Sequence, residues 1–182
     1  MSDTGLGAKR LQLLREAIPR AIQIAILAPG AEDCATQLRD TEKAVSPAVT
    51  LVVVEVQNGD YVHAYASMAA VRAGGLFVIS SPLSYRDRVR IIALATKHRL
   101  PSISNWREYA GQSGLMSYGS NQAGLSRRLA TYVDRILKGA SPAELPVEQP
   151  TAYELVINLK TAKALGLTIS PSLLGRADAV IQ

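Results

Sequence analysis

The chain has 182 residues, of which 48% are hydrophobic and 19% charged, so it can bury the core of one globular domain. Its net charge of +5 does not indicate nucleic-acid binding, because the basic residues are scattered and only one Trp and one Phe accompany them. A single cysteine, Cys34, excludes an internal disulfide, and two histidines add too few ligands for a structural zinc site.

Apolar runs in the sequence are short. Residues 51–54 and 76–79 are apolar, whereas about 20 apolar residues are needed to cross a bilayer. Residues 1–9 contain no apolar block of the roughly 7 to 15 residues that a secretory signal requires. We therefore expect no membrane-spanning helix, and no export signal in the chain as written.

Helix-like and strand-like patterns alternate through the first hundred residues. Leu11, Leu14 and Ile18 recur at helical spacing, and Pro19 ends this helix. Short apolar runs bounded by turn residues predict strands over residues 22–27, 50–56 and 75–79, and a further short strand is predicted over 102–105. The intervening helices are predicted from an N-cap at Asp33 to a stop before Pro47, over residues 61–73, and from an N-cap at Ser84 to about His98.

The second part of the chain begins with a strand-like run over residues 114–118. A helix over residues 122–138 follows, ended by Gly139, with one apolar side formed by Leu125, Leu129, Val133, Ile136 and Leu137. Residues 141–150 form a proline-containing connector. A strand over 153–158, a helix over 160–165 and a short terminal helix over 170–180 complete the prediction.

Strands that alternate with helices of about a dozen residues are typical of βαβ units. The predicted fold class is therefore α/β, with a three-layer parallel sheet covered by helices on both faces and right-handed crossovers. The sheet contains strands 22–27, 50–56, 75–79 and 102–105, joined by 153–158. The strand order expected is the flavodoxin-like one.

No group of residues has the pattern of a catalytic centre. Glu32 and Asp33 follow the first predicted strand, where capping and complementing the helix dipole explain them. His98 lies at a helix end, where it is a favourable cation, and Cys34 has no partner typical of a nucleophile. We expect a protein that is not an enzyme and that uses no cofactor and no metal.

A parallel sheet does offer a crevice where its strands end and helix N-termini point. The loops expected at that edge are 29–32, 80–84, 105–107 and 118–121, which carry mainly small, hydroxylated and amide side chains. This composition indicates a site for a small polar ligand, although ordinary turn chemistry explains each residue equally well. The predicted ligand-binding residues are Ser80, Ser81, Trp106, Tyr118 and Asn121.

Several longer runs resemble one protein family. They are GLMSYG (114–119) with Asn121, YVD (132–134), ILKGA (136–140), LPVEQPT (145–151), ELVINLKTAKALGL (154–167), PSLL (171–174) and RAD (176–178). KRL (9–11) and KHRLP (97–101) also resemble this family, and the resemblance is strongest from Lys97 onward. The chain resembles the ABC transporter substrate-binding proteins of the tryptophan/tyrosine-transport type, which have the type 1 periplasmic binding fold.

The resemblance implies a periplasmic protein that binds a small solute between two lobes and serves an ABC permease. Family members are roughly twice as long and carry an export signal and an amino-terminal lobe. The chain thus looks like the carboxyl-terminal lobe, which as written would stay in the cytoplasm. Residues 1–121 and 151–182 would form the sheet lobe, and residues 122–150 would pack on the other lobe.

Two ligand-facing loops depart from the family pattern. Ala28-Pro29-Gly30 stands where Asn-Pro is usual, and Ser81-Pro82 replaces a frequent Asp-Pro. The solute inherited from the family is therefore open. Two hypotheses remain: a solute-binding component, or lobe, of an ABC-type importer, and a stand-alone dimeric α/β module with a sensing or interaction role.

The apolar side of the predicted helix 122–138 also suggests self-association. Burying each such side chain is worth about 1.5 to 3 kcal/mol before entropy is counted. We expect a two-fold homodimer in which the copies exchange this helix through Leu125, Leu129, Val133 and Ile136.

Overall fold

The computed structural model describes residues 6–43 and 49–182, with the backbone alone at residues 31–33. Its strands form a seven-stranded sheet of order β2-β1-β3-β4-β5-β6-β7. The strands are β1 (Gln23–Pro29), β2 (Thr50–Val56), β3 (Gly75–Val78), β4 (Ser102–Ser104), β5 (Met116–Ser120), β6 (Tyr153–Asn158) and β7 (Ala179–Ile181).

The α-helices lie between the strands. They are α1 (Leu6–Ala17), α2 (Ala31–Lys43), α3 (Tyr61–Ala70), α4 (Pro82–Arg86), α5 (Arg88–Lys97), α6 (Arg107–Gly111), α7 (Gln122–Leu137), α8 (Leu159–Ala164) and α9 (Pro171–Leu174). A 3₁₀ turn spans Pro142–Glu144. Across the described ranges, none of these helices has both the length and the apolarity that a bilayer crossing requires.

The predicted α/β fold class and flavodoxin-like strand order are confirmed. Strands β2, β1, β3, β4 and β5 pair in that order and are all parallel. The fold is three-layered because alternate side chains of each strand enter opposite cores. In β1, Ile24 and Ile26 pack towards α1 and α9, whereas Ala25 and Leu27 pack towards α3 and α5.

The direction of β6 differs from the fully parallel prediction. β6 runs antiparallel to β5, with Ser120 opposite Tyr153 and Met116 opposite Ile157. The backbone N–H of Asn121 donates to the carbonyl of Ala152 at 3.0 Å. The chain therefore leaves and re-enters the sheet at the same end, so the next strand has to run back in the opposite direction.

The carboxyl terminus also differs from the prediction, because the helix expected over 170–180 is much shorter. Ser170 caps α9 through a bond from Leu173 N–H at 3.2 Å, and the helix ends at Leu174. Asp178 then binds β6 twice, accepting from Leu155 N–H at 2.7 Å and donating its own N–H to the Leu155 carbonyl at 2.9 Å. These bonds start β7, which runs parallel to β6.

Two predicted helix starts are corrected by the structure. α2 begins at Ala31, so Asp33 lies inside the helix, and Pro47 is outside the described residues. Ser81 rather than Ser84 caps α4: the Ser81 hydroxyl accepts from Ser84 N–H at 3.1 Å, and the Ser84 hydroxyl accepts from Ser81 N–H at 2.9 Å. This reciprocal pair is a capping box, with Pro82 in the first turn.

Helix α7 stands apart from the two cores. None of its residues is buried, and Leu129, Val133 and Leu137 are 62%, 54% and 82% exposed. The backbone of Gly139 has a φ of +98°, the left-handed conformation that ends the helix, as predicted. An amphipathic helix whose apolar side contacts water leaves hydrophobic surface uncovered.

A polar contact links α3 to the junction between α4 and α5. The Tyr61 hydroxyl donates to Asp87 Oδ2 at 2.9 Å, and Arg86 binds the same carboxylate at 2.8 Å. The hydrogen bond from Arg86 lowers the pKa of Asp87, and the Tyr61 hydroxyl acts in the same direction. The charged form of Asp87 is thus favoured in the folded state.

Replacing Asp87 with Asn is expected to lower the free energy of unfolding by about 1 kcal/mol at pH 7. The folded pKa lies below the unfolded value of about 3.9, so the stabilisation is present above that value and lost as the pH falls through the folded pKa. The difference in the free energy of unfolding between wild type and variant should decrease from pH 5 towards pH 2. Urea unfolding followed by circular dichroism measures it at each pH. Asp134→Asn, which removes an exposed i,i+4 pair, should change stability little. A gap that is constant with pH would contradict this assignment.

Candidate functional site

The carboxyl ends of β3 and β4 are linked by a polar network that begins on α2. The Gln37 side chain donates to the Ser80 carbonyl at 2.8 Å and accepts from Ser80 N–H at 3.3 Å. Asn105 Nδ2 in turn donates to the Ser80 hydroxyl at 2.7 Å. The two side-chain amides thus fix the backbone where both strands end.

Beside Asn105 lies a cavity of about 350 Å³ at the carboxyl ends of β4 and β5. Its wall is polar and contains no aromatic side chain among the described residues. The cavity is lined by Asn105, Arg107, Glu108, Ser117, Gly119, Ser120, Asn121, Gln122, Ala123, Arg127 and Glu154. Amide, hydroxyl and charged groups converging at the ends of parallel strands are typical of a polar-ligand site.

Gly119 determines how closely β5 approaches the end of β4. A Cβ atom at this position would overlap the backbone carbonyl of Asn105. Both partners in this contact are backbone, so no change of side-chain rotamer could relieve the overlap. The glycine therefore lets the two strands stay paired up to the edge of the cavity.

Ser117 carries an unusual hydroxyl group in the cavity wall. The residue is 1% exposed, and its Oγ is buried with no hydrogen-bond partner in the part of the chain that the structure describes. It pairs in register with Ser104 of β4, whose side chain is also fully buried. Buried hydroxyls normally have a partner, so Ser117 Oγ is an exception among the described residues.

The first turn of α7 forms another part of the wall. Asn121 is the N-cap, and its Oδ1 accepts from Gly124 N–H at 2.7 Å. Gln122 and Ala123 follow and also line the cavity. The positive end of the helix dipole is therefore directed at the cavity.

Charges of both signs surround the opening. Arg107 forms an ion pair with Glu154, so these two groups largely neutralise each other. Glu108 and Arg127 also line the cavity and contribute one charge of each sign. The site is balanced in charge and is not a strongly cationic or anionic pocket.

The structure brings only part of the predicted ligand-binding set to this cavity. Asn121 lines the cavity. Ser80 does not line it, but its hydroxyl accepts a hydrogen bond from Asn105, which does. Ser81 is 7% exposed and its hydroxyl takes part in the capping box of α4. The Trp106 ring packs edge-on against Tyr85, with ring centroids 5.3 Å apart.

Tyr118 lies on the other face of the sheet. Its ring is 6.1 Å from that of Tyr153, and its carbonyl accepts from the buried Arg10 at 3.0 Å. Burial raises the pKa of Tyr118, and the neighbouring Tyr153 raises it further. β5 extends through Ser120, two residues past the predicted end, so Tyr118 lies within the strand and points away from Ser117 and Gly119.

Of the residues that line the cavity, only Asn121 was selected from the sequence; Asn105, Ser117 and Gly119 are among those that were missed. Asn105 was in a loop assigned to this edge, next to the chosen Trp106. Ser117 and Gly119 lie inside a strand, where a serine and a glycine interrupt an otherwise apolar run. That interruption is the signal by which they could have been found.

Gly119→Ala is expected to destabilise the protein by about 1 to 3 kcal/mol, since the added Cβ forces β5 away from the Asn105 carbonyl. Urea unfolding measures the loss. Gly111→Ala is the matched control, because a Cβ there would meet no atom within 4 Å. Equal stability of the two variants would show that the close approach of β4 and β5 is not required.

Comparison with known proteins gives one family and a set of similar folds. The family model described as ABC transporter substrate binding protein matches residues 1–181. No curated protein matches the chain.

Three solved structures share the fold at low sequence identity. An ABC domain in complex with L-Trp from Streptococcus pneumonia is 22% identical with a TM-score of 0.84, and a conserved domain protein from Vibrio cholerae is 22% identical with a TM-score of 0.82. A ligand-free, open substrate-binding protein with adhesive properties from Clostridium difficile is 20% identical with a TM-score of 0.67. Each alignment covers 96% of this chain but only 60%, 60% and 59% of the other, respectively.

Proposed function

Because the chain belongs to the ABC transporter substrate-binding protein family, we propose that it acts as the solute-binding component of an ABC-type importer. The solute is small and polar, such as an amino acid, and it is handed to a permease without chemical change. The observation that carries this proposal is the cavity beside Asn105, where amide, hydroxyl and charged groups meet at the ends of parallel strands. The L-Trp in the pneumococcal neighbour supports an amino-acid ligand.

In this proposal the molecule has two parts. Residues 1–121 and 151–182 form the sheet lobe that contacts the solute, whereas residues 122–150 pack on a second lobe. The exposed apolar side of α7 supports this division. Closure of two lobes about a hinge would bury the solute, and a location outside the cytoplasmic membrane follows from the transport role.

The proposal predicts that amino acids contact the cavity of the 182-residue chain. In a titration of ¹⁵N-labelled protein followed by NMR, the backbone signals of Asn105, Gly119 and Asn121 should shift. Asn105→Ala should weaken binding by about tenfold, because an amide contact in the cavity wall and the bond to Ser80 are lost. Gln112→Ala, which removes an exposed amide outside the cavity, should leave binding unchanged. If no amino acid, sugar or other small polar solute shifts the signals of the cavity residues, the proposed function is contradicted.

The exposed face of α7 favours a second candidate, a stand-alone dimeric module with a sensing or interaction role. The Tyr132 hydroxyl donates to the Pro146 carbonyl at 2.7 Å, and Arg128 Nε donates to Glu148 at 2.6 Å. These bonds hold the connector beside α7, and the two enclose a largely apolar groove of about 820 Å³.

A second copy of the chain is the proposed occupant of this face. α7 has 16 residues and is therefore about 24 Å long and, with side chains, about 10 Å wide. With the connector beside it, this face supplies the apolar centre of an interface, and residues around it complete the roughly 800 Å² per partner that a two-fold dimer needs. Mutual exchange of α7 would let each copy cover the apolar residues of the other.

Light scattering at micromolar concentration should then report twice the mass of the chain. The double variant Leu129→Asp, Val133→Asp should be monomeric or should precipitate, because it places charges in the buried interface. Val89→Asp is the matched control, since Val89 is 62% exposed on a different helix. A wild-type protein with the mass of one chain would overturn the dimer.

A further inference from the structure

A second cavity lies at the opposite end of the sheet from the cavity beside Asn105. It has a volume of about 450 Å³ and includes Ser102, the first residue of β4, together with residues from the end of α5, the turn after α6 and helix α8. Two of its lining side chains, those of Arg99 and Lys160, are cationic, and none of the described lining residues is acidic. We call it the basic cavity.

The two positive charges lie on the same side of α8. Arg99 Nη2 donates to the Ala164 carbonyl at 3.5 Å, so the guanidinium lies against this helix. Lys160 precedes Ala164 by four residues and therefore lies on the same helix face. None of the described ion pairs uses either side chain. Unpaired like charges that face one space repel each other, and a bound anion would remove this repulsion.

Hydroxyl groups adjoin these charges. Thr161 Oγ1 donates to the Ser113 carbonyl at 3.1 Å, which joins α8 to the turn after α6 and holds this wall of the cavity in place. The hydroxyl of Ser113 has no partner among the described residues and can donate to an anion. A guanidinium, an ammonium and a hydroxyl together form a set of donors that suits an oxyanion.

The rest of the lining is largely apolar. Ala95 and Leu100 are buried, and Ala164 and Leu165 line the same space. The volume corresponds to about fifteen water molecules at about 30 Å³ each, which leaves room for more than an oxyanion alone. The cavity therefore suits an anionic group that is attached to a small organic body.

From these observations we propose that the basic cavity binds the phosphoryl group of an organic phosphate at Arg99 and Lys160. The organic part of the ligand lies against Leu100 and Leu165. A phosphate monoester carries nearly two negative charges at pH 7, which match the two cations, and a guanidinium binds phosphate through two parallel bonds. The site is separate from the cavity beside Asn105, so it does not depend on the proposed solute-binding function.

The backbone of Arg99 provides a variant that removes the guanidinium without straining the fold. Its φ is +53°, and its N–H donates to the Thr96 carbonyl at the end of α5. At the ends of α7 and α8 the corresponding left-handed positions are occupied by Gly139 and Gly166. Because glycine adopts this conformation more readily, Arg99→Gly should unfold at the same temperature as wild type or at a higher one.

The binding test is a titration of the ¹⁵N-labelled chain followed by NMR. The probes are sn-glycerol 3-phosphate, inorganic phosphate and sodium chloride, compared at equal ionic strength. Both phosphates should shift the backbone signals of Arg99, Ser113 and Thr161, whereas chloride should not. The signals of Asn105 and Asn121, in the other cavity, should stay unchanged.

Two double variants of equal net charge separate a site from general attraction to a basic protein. Arg99→Gly, Lys160→Gln should weaken the binding of glycerol 3-phosphate at least tenfold. Lys97→Ala, Lys163→Ala is the matched control, because it removes two exposed cations from α5 and α8 that do not line the cavity. The control should change the affinity less than twofold.

Co-sedimentation with phosphatidylglycerol vesicles identifies the source of the phosphoryl group. Loss of vesicle binding in the Arg99→Gly, Lys160→Gln variant, but not in the control, assigns the site to a lipid head group. Binding of free glycerol 3-phosphate with no such difference between the variants on vesicles assigns it to a soluble organic phosphate.

Several results would overturn the proposal. They are a cavity that responds to neither the phosphates nor the vesicles, equal shifts with chloride, and an equal loss of affinity in the control variant. An Arg99→Gly protein that is less stable than wild type without ligand would assign the guanidinium a structural role at the Ala164 carbonyl and would also overturn it.

Discussion

The hydrogen bond between Asn121 N–H and the Ala152 carbonyl is the constraint on which the architecture depends. It joins the points where the chain leaves β5 and enters β6. Helix α7 and the connector therefore begin and end at the same position on the edge of the sheet. The closure makes β6 antiparallel and puts Asn121 at the start of α7 beside the carboxyl end of β4. The polar cavity exists because a helix N-terminus, two strand ends and Asn105 meet at this closure.

The sequence predicted much of the sheet because its central strands β1 and β3 are buried on both faces. Such strands are continuous apolar runs, and the runs that became β1 and β3 are readable without knowledge of their partners. The direction of β6 was not readable in this way, since an apolar pattern is the same in both directions along a strand. It depends on where the connector returns, which is a tertiary property. The last residues were misassigned for a related reason, because the bonds of Asp178 to Leu155 decide that β7 forms.

The candidate site was predicted from loops, and this explains why only some of the chosen residues lie at the cavity. Ser80 and Asn121 follow strands and lie at or beside the cavity, as sequence position suggests. Ser117 and Tyr118 are adjacent, yet the strand directs their side chains to opposite faces. Because β5 continues through Ser120, Tyr118 lies within the strand and on the face away from the cavity. Trp106 follows β4 as expected, but its ring packs against Tyr85 and does not line the cavity. Local sequence specifies that a residue is near an edge, whereas strand register specifies what that residue faces.

Gly119 has a consequence for how the crevice can change over evolutionary time. Any other amino acid at this position would strike the Asn105 carbonyl, so the floor of the cavity cannot be altered by substitution there. Substitution remains open at Glu108, Gln122 and Arg127, exposed residues that line the same space. A lineage that acquires a new solute would therefore keep an invariant floor and diversify the surrounding walls. Changes in ligand preference would therefore arise at a few wall positions and would leave the pairing of β4 and β5 intact.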